Sequence, residues 1–173
     1  SMDILVSSNV ERLLFELTRH DGEVSARCMK SLAEEGGYEL SDKTKKELKA
    51  FFSAGWSDDR ETLSQIKKSF EEYGYLPDTH TAVALSVLEK YRKQTGDMKK
   101  TVVASTASPF KFAPDVLYAL TGKRFGCGTE CLQKLSEFAS LPVPEPLKNL
   151  SEREKRFTGS VEKCEMPSTV LKL

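Results

Sequence analysis

Apolar residues recur at helical spacing almost from the start of the chain. Val10, Leu13, Leu14 and Leu17 share one face, and Ser7, Ser8 or Asn9 ahead of them can cap a helix by accepting from its free N–H groups. "SARCMKSLAEEGG" predicts a second helix, stopped at Gly36-Gly37, and "SDKTKKELKAFF" a third, capped by Ser41 with a solvated charged face. "SAGWSDDRETLSQIKKSFEEYGY" predicts a turn or strand, then a helix starting near Ser57 or Asp58. Leu63, Ile66 and Phe70 are its inner stripe, and Gly74 ends it. "DTHTAVALSVLEKYRKQTG" predicts a helix with Asp78 or Thr79 near its cap and Val83, Val87 and Tyr91 on one side.

Two stretches break the helical period. "DILV" at the start reads as a short buried strand, and "TVVAST" is a continuous β-branched run, the pattern of a parallel strand covered on both faces. Ser108 and Pro109 then form a cap followed by a first-turn proline, opening a helix that reaches Leu120 and closes at Gly122. "GTECLQKLSEFASLP" predicts the last clear helix. Beyond Pro142, prolines and mixed charge predict a tail lying over a surface. The expected fold class is therefore α/β: a partial three-layer sheet with helices, with too few strands for a complete doubly wound sheet. Residues 1–141 form the main unit and 142–173 a C-terminal extension.

Composition narrows the partners. The 173 residues carry 26 basic and 26 acidic side chains, which gives no reason to expect a nucleic acid or a membrane surface as partner. No apolar run is long enough to span a bilayer, and "SMDILVSS" lacks the regions of a signal peptide. Four cysteines in a chain this size and this rich in apolar patterning predict a reducing, cytoplasmic setting rather than a disulfide framework.

Candidate chemistry is sparse. "CGTEC" sets Cys127 four residues before Cys131, but Cys28, Cys164 and two isolated histidines supply no second ligand pair, so no metal site is expected. His20 sits near a helix end. His80 lies between an aspartate and a helix start, without a nucleophile and an orienting group around it. No Walker loop or dinucleotide fingerprint occurs. What remains is "LPDTHTAV" together with "TVVASTASPFKF". Both put polar residues at the boundary of a buried element, and ligands of parallel α/β sheets bind beyond the carboxyl ends of the strands. Ser105, Thr106 and Ser108 stand where such a strand would end, and equally where caps and turns use hydroxyls.

Three stretches carry a resemblance. "SMDILVSSNVERLLFEL", "FFSAGWSDDRETLSQIKKSFEEYGYLPDTHTAVALSVLEKY" and "TVVASTASPFKFAPDVLYALTG" resemble, in order, the C-terminal part of threonine synthase of the longer bacterial and fungal type. The resemblance implies a pyridoxal 5'-phosphate-dependent fold of the tryptophan synthase β kind. It also implies a carbon–oxygen lyase that converts O-phospho-L-homoserine and water to L-threonine and phosphate, with the cofactor as electron sink. In that family the Schiff-base lysine, in a motif resembling "FKD", and the glycine-rich loop that cradles the cofactor phosphate lie upstream of the region matched here. The expectation is thus a C-terminal fragment, lacking the N-terminal half, inactive alone and not retaining the cofactor.

The resemblance also implies roles for individual residues. Thr106 meets the pyridine nitrogen, or Ser105 does if the register shifts by one, since alternation lets only one of them face the ring. Asp78 lies close to the same edge. His80, Asn9 and Lys111 are pocket candidates, with Lys111 read as a lysine at a helix start rather than the covalent one. Many relatives have proline where Thr79 stands. Two other readings stay open: a binding module that kept half of the fold and self-associates through an uncovered edge, and another lyase of the same fold type.

Overall fold

A computed structural model describes residues 6–126, 128–154 and 159–172. Among these residues eight α-helices follow one another: α1 Ser8–Leu17, α2 Gly22–Glu35, α3 Asp42–Phe51, α4 Asp59–Tyr73, α5 Thr79–Thr95, α6 Ala113–Thr121, α7 Thr129–Ala139 and α8 Met166–Val170. Their starts are set by short polar side chains. Ser7 caps α1, Asp21 caps α2, Ser41 caps α3 and Asp78 caps α5. Asp58 and Glu61 form a reciprocal capping box on α4, each side chain accepting from the other's backbone N–H. α2 therefore begins three residues ahead of "SARC", because Asp21 accepts from the N–H groups of Glu23 and Val24. Gly36, Gly74, Gly96 and Gly122 end their helices in the left-handed conformation, which costs glycine nothing.

The core lies among α4, the start of α5, α6 and α7. Ile66, Leu76, Ala82, Phe110, Ala113, Val116, Leu117, Leu120, Cys131 and Leu135 form one buried cluster, and Val143 and Leu147 from the segment after α7 pack against it. Of the stripe expected on α4, Ile66 is fully buried and Leu63 and Phe70 are half-buried. The same helix also buries Thr62, Gln65 and Ser69. α5 answers with a small polar face, Thr81, Ala82 and Ser86, and leaves Val83, Val87 and Tyr91 half-buried. Small residues let the two helices approach. Gln65 Nε2 and Lys68 Nζ then both donate to Glu89 across the seam, at 3.1 and 2.8–2.9 Å.

The sheet expected from the sequence is not seen: among the described residues there is no strand. Most of "DILV" lies outside the described residues, and Val6 is exposed. "TVVAST" forms neither helix nor strand, and no neighbouring backbone hydrogen-bonds to it. Val102 is 96 % exposed. A β-branched run favours extended backbone, but a sheet is a ladder between segments, and no second segment among the described residues pairs with this one. Ser108 does cap the next segment, accepting from the Phe110 N–H. That segment is first a 3-10 turn, Pro109–Phe112, and only then α6.

Candidate functional site

The N-terminus of α5 organises the site. Asp78 is wholly buried, and as the cap of α5 its Oδ1 accepts from the N–H groups of His80 (2.8 Å) and Thr81 (3.3 Å). Its Oδ2 accepts a short hydrogen bond from the Thr81 hydroxyl. A buried carboxylate needs such company, and the positive end of the helix adds to it. The cluster continues outward. Thr81 Oγ1 lies 3.1 Å from Ser105 Oγ, which also accepts from the Tyr75 hydroxyl at 3.1 Å. Tyr75, Asp78, Thr81 and Ser105 thus join the loop before α5, its first turn and the end of the extended segment.

His80 stands at the edge of this cluster. Its Nδ1 is 3.5 Å from Asp78 Oδ1 and 3.4 Å from Thr79 Oγ1, and its ring lies 5.1 Å from that of Phe112. Lys111 approaches the same ring, its Nζ 5.5 Å from the ring centre. The structure therefore brings Asp78 and Ser105 into one hydrogen-bonded cluster, and gathers His80 and Lys111 around one aromatic ring. Thr106 follows Ser105 directly, is exposed, and its hydroxyl makes no hydrogen bond among the described residues. Asn9 lies apart, exposed on α1.

Two members of the cluster, Tyr75 and Thr81, were not singled out from the sequence. Thr81 could have been, because it stands three residues after the cap, the spacing at which a side chain meets a capping group. Tyr75 carries no local signal, since its partner is thirty residues away. Among the described residues no group of histidine, cysteine, aspartate and glutamate is placed to hold a metal ion. Cys28 and Cys131 are buried, Cys164 is exposed, and Cys127 lies outside the described residues.

The extended segment also borders a groove of about 880 Å³, lined by Phe51, Trp56, Val87, Tyr91, Val102 and Val103. Gly55 sits tightly in its wall: a Cβ there would come within 2.7 Å of Val87 Cγ1, so the valine would have to turn away. Lys90 closes one end, donating to the Trp56 carbonyl at 3.0 Å and lying 5.2 Å from the indole ring. One segment thus presents hydroxyls at its end and an exposed valine, Val102, along its length.

The available chemistry is that of neutral donors and one buried acid. Thr106 offers its O–H to an acceptor such as a ring nitrogen, while the Ser105 hydroxyl is engaged with Tyr75 and Thr81 and through Thr81 with Asp78. Lys111 is exposed over Phe112, in no position that singles it out as a covalent anchor.

Comparisons with known proteins identify a family. A family profile described as "Threonine synthase, C-terminal" matches residues 81–167. "Threonine synthase-like 1" of Macaca fascicularis is 30% identical over 99% of this chain and 23% of that protein. The crystal structure of threonine synthase from yeast superposes with a TM-score of 0.76 at 28% identity, over 99% of this chain and 35% of that one. A PLP-bound threonine synthase from Brucella melitensis superposes at 0.61 with 33% identity, over 82% and 29%. The chain spans about a quarter of the length of the curated relative.

Proposed function

Because this chain belongs to the threonine synthase family, matching its C-terminal part, we propose that it forms one wall of a pyridoxal 5'-phosphate site. The reaction served is the conversion of O-phospho-L-homoserine and water to L-threonine and phosphate, a carbon–oxygen lyase reaction, carried out by a longer polypeptide. The observation that carries the reading is the pair of hydroxyls at the end of the extended segment, one tied to a buried, helix-capping aspartate and one without a partner.

The residues present fit part of the cofactor. The Thr106 hydroxyl, with no partner among the described residues, is the donor for the pyridine nitrogen. A neutral donor there leaves the ring nitrogen unprotonated, where a carboxylate would hold a proton on it. Ser105 accepts from Tyr75 and lies against Thr81, which sets the backbone that carries Thr106. Asp78 holds the first turn of α5 at the same edge, and His80 and Lys111 line the rim around Phe112. The residues do not fit the rest: among the described residues no lysine stands in the hydroxyl cluster as a covalent anchor, and no glycine-rich phosphate loop occurs in the sequence. When bound, the cofactor supplies the electron sink for the reaction. This chain supplies orientation of the ring and a neutral contact to its nitrogen.

Two measurements test the reading. In the longer polypeptide, Thr106→Val should shift the cofactor's absorption or slow turnover by about tenfold or more, the loss of about 1.4 kcal/mol of transition-state stabilisation. An unchanged spectrum and rate would remove Thr106 from the site. The 173-residue chain alone, mixed with O-phospho-L-homoserine and pyridoxal 5'-phosphate, should release no phosphate; turnover would overturn the assignment of the covalent chemistry to the upstream part.

A further inference from the structure

The extended segment is held at two points, and the second lies well away from the hydroxyl cluster. Arg92, in the last turns of α5, donates from one guanidinium nitrogen to the Lys99 carbonyl (3.1 Å) and to Thr101 Oγ1 (3.3 Å). Its Nε is buried and has no hydrogen-bond partner among the described residues. Arg92 borders a cavity of about 270 Å³, whose other walls include Gln65, Ser69, Tyr75 and Glu89. A buried donor left unpaired costs about 1–3 kcal/mol. The guanidinium is thus held where its outer nitrogen reaches the segment, at the expense of its inner one. Between the anchor at Thr101 and the anchor at Ser105 lie Val102, Val103 and Ala104, none of which makes a backbone ladder.

We propose that Arg92 is a positioning residue that pins the Thr101 end of the extended segment and so fixes the register in which Ser105 and Thr106 are presented. The purpose assigned to that register rests on the pyridoxal phosphate reading above; the pinning does not. Geometry shows how the pin works. One guanidinium nitrogen reaches both a backbone carbonyl and a side-chain hydroxyl two residues apart, tying two points of the segment to α5. The two anchors divide the work. Arg92 sets where the segment starts, and Tyr75 with Thr81 sets where its last residue sits. With only Val102, Val103 and Ala104 between them, a one-residue slip would break both.

The test is backbone ¹⁵N relaxation on the 173-residue chain. The wild-type order parameters of Thr101–Ser105 should lie near about 0.85, the value of rigid backbone, despite the absence of a ladder. Arg92→Ala should lower them below about 0.6 at Thr101–Ala104 while leaving α4 and α6 unchanged. Arg92→Lys should restore part of the loss. Thr101→Val, which removes one acceptor and leaves α5 intact, should lower the order parameters at Thr101 and Val102 alone, and it keeps the test open if Arg92→Ala fails to fold. Unchanged order parameters at Thr101–Ala104 in both Arg92→Ala and Thr101→Val would overturn the proposal. So would a loss spread evenly over α4–α6, which would make Arg92 a general stability residue. Thr106→Val should leave all these values alone while changing the cofactor spectrum of the longer polypeptide. A failure of the cofactor reading is therefore seen separately from a failure of the pinning.

Discussion

Two faces of one segment differ sharply. At its end, Ser105 meets Tyr75, Thr81 and, through Thr81, the buried Asp78, and each of these polar groups has a partner. Along its length, Val102 is 96 % exposed, and nearby Trp56 and Phe51 are 74 % and 81 % exposed. The difference teaches which interactions a chain can make within itself. Caps and helix stripes are local, so the Asp78 end and the α4–α7 core close on themselves. A β-branched run reaches low energy only in a ladder with flanking layers, and none is present among the described residues.

The largest test of that contrast is a cavity in the closed region. Ile66 is fully buried in the core cluster, so Ile66→Ala should lower the unfolding free energy by about 2–5 kcal/mol in urea titration. A cost below about 1 kcal/mol would mean that the core is as loose as the uncovered face. Next comes the cap. Asp78→Ala removes the acceptor of two N–H groups and strands the Thr81 hydroxyl, with an expected loss of about 2–3 kcal/mol from lost capping and an unpaired buried group. The same variant should also change the chemical shifts of Ser105 more than those of Val102, because only Ser105 is joined to it.

The helices were legible in the sequence because their signals are local. Ser41, Asp58 and Asp78 cap the elements their positions promised, and Gly36, Gly74 and Gly122 end theirs. The strand was legible only as a tendency. "TVVAST" has the composition of a strand without the pairing, since pairing depends on a partner that no local pattern supplies. The polar seam between α4 and α5 was illegible for a related reason. Apolar periodicity pointed to Leu63 and Phe70, but the close approach of two helices selects small residues such as Ser69, Ala82 and Ser86 and hides their hydroxyls between them. In the site, the sequence pointed to Asp78, Ser105 and Thr106, and the family resemblance supplied their roles. The links through Thr81 and Tyr75 needed three dimensions, as did the position of Asn9 away from the cluster.

A smaller effect comes from the ion pair in the seam. Burial pushes the Glu89 carboxyl up, but hydrogen bonds from Lys68 and Gln65 outweigh it and hold its pKa below the usual value. A lowered carboxyl pKa stabilises the fold above the ordinary carboxylate value, and that contribution is lost as the pH falls through the lowered one. Both side chains are about a third exposed, so solvent reduces the pair to about 0.5 kcal/mol. Wild type should exceed Glu89→Gln by that amount at neutral pH, and the gap should close as acidification takes the pH down through the lowered carboxyl value. A gap that persists in acid would mean that Glu89 acts by packing rather than by charge, and the seam would then resemble the core more than the surface.

The smallest expected effect is the sharpest test of the uncovered face. Val102→Ala removes two methyl groups from a side chain that touches little, so the unfolding free energy of this chain should change by less than about 0.5 kcal/mol. In the longer polypeptide of the proposed function, the same valine would enter a sheet, and the same substitution should then cost about 1–3 kcal/mol, the value for losing buried methyl groups. The difference between the two measurements reports the burial of position 102 directly. A small cost in both settings would mean that the segment is a loop whose valines never meet a layer. Ser105 and Thr106 would then stand at the end of a loop held only by Arg92 and Tyr75, and the reading of that end as the rim of a sheet would fall with it.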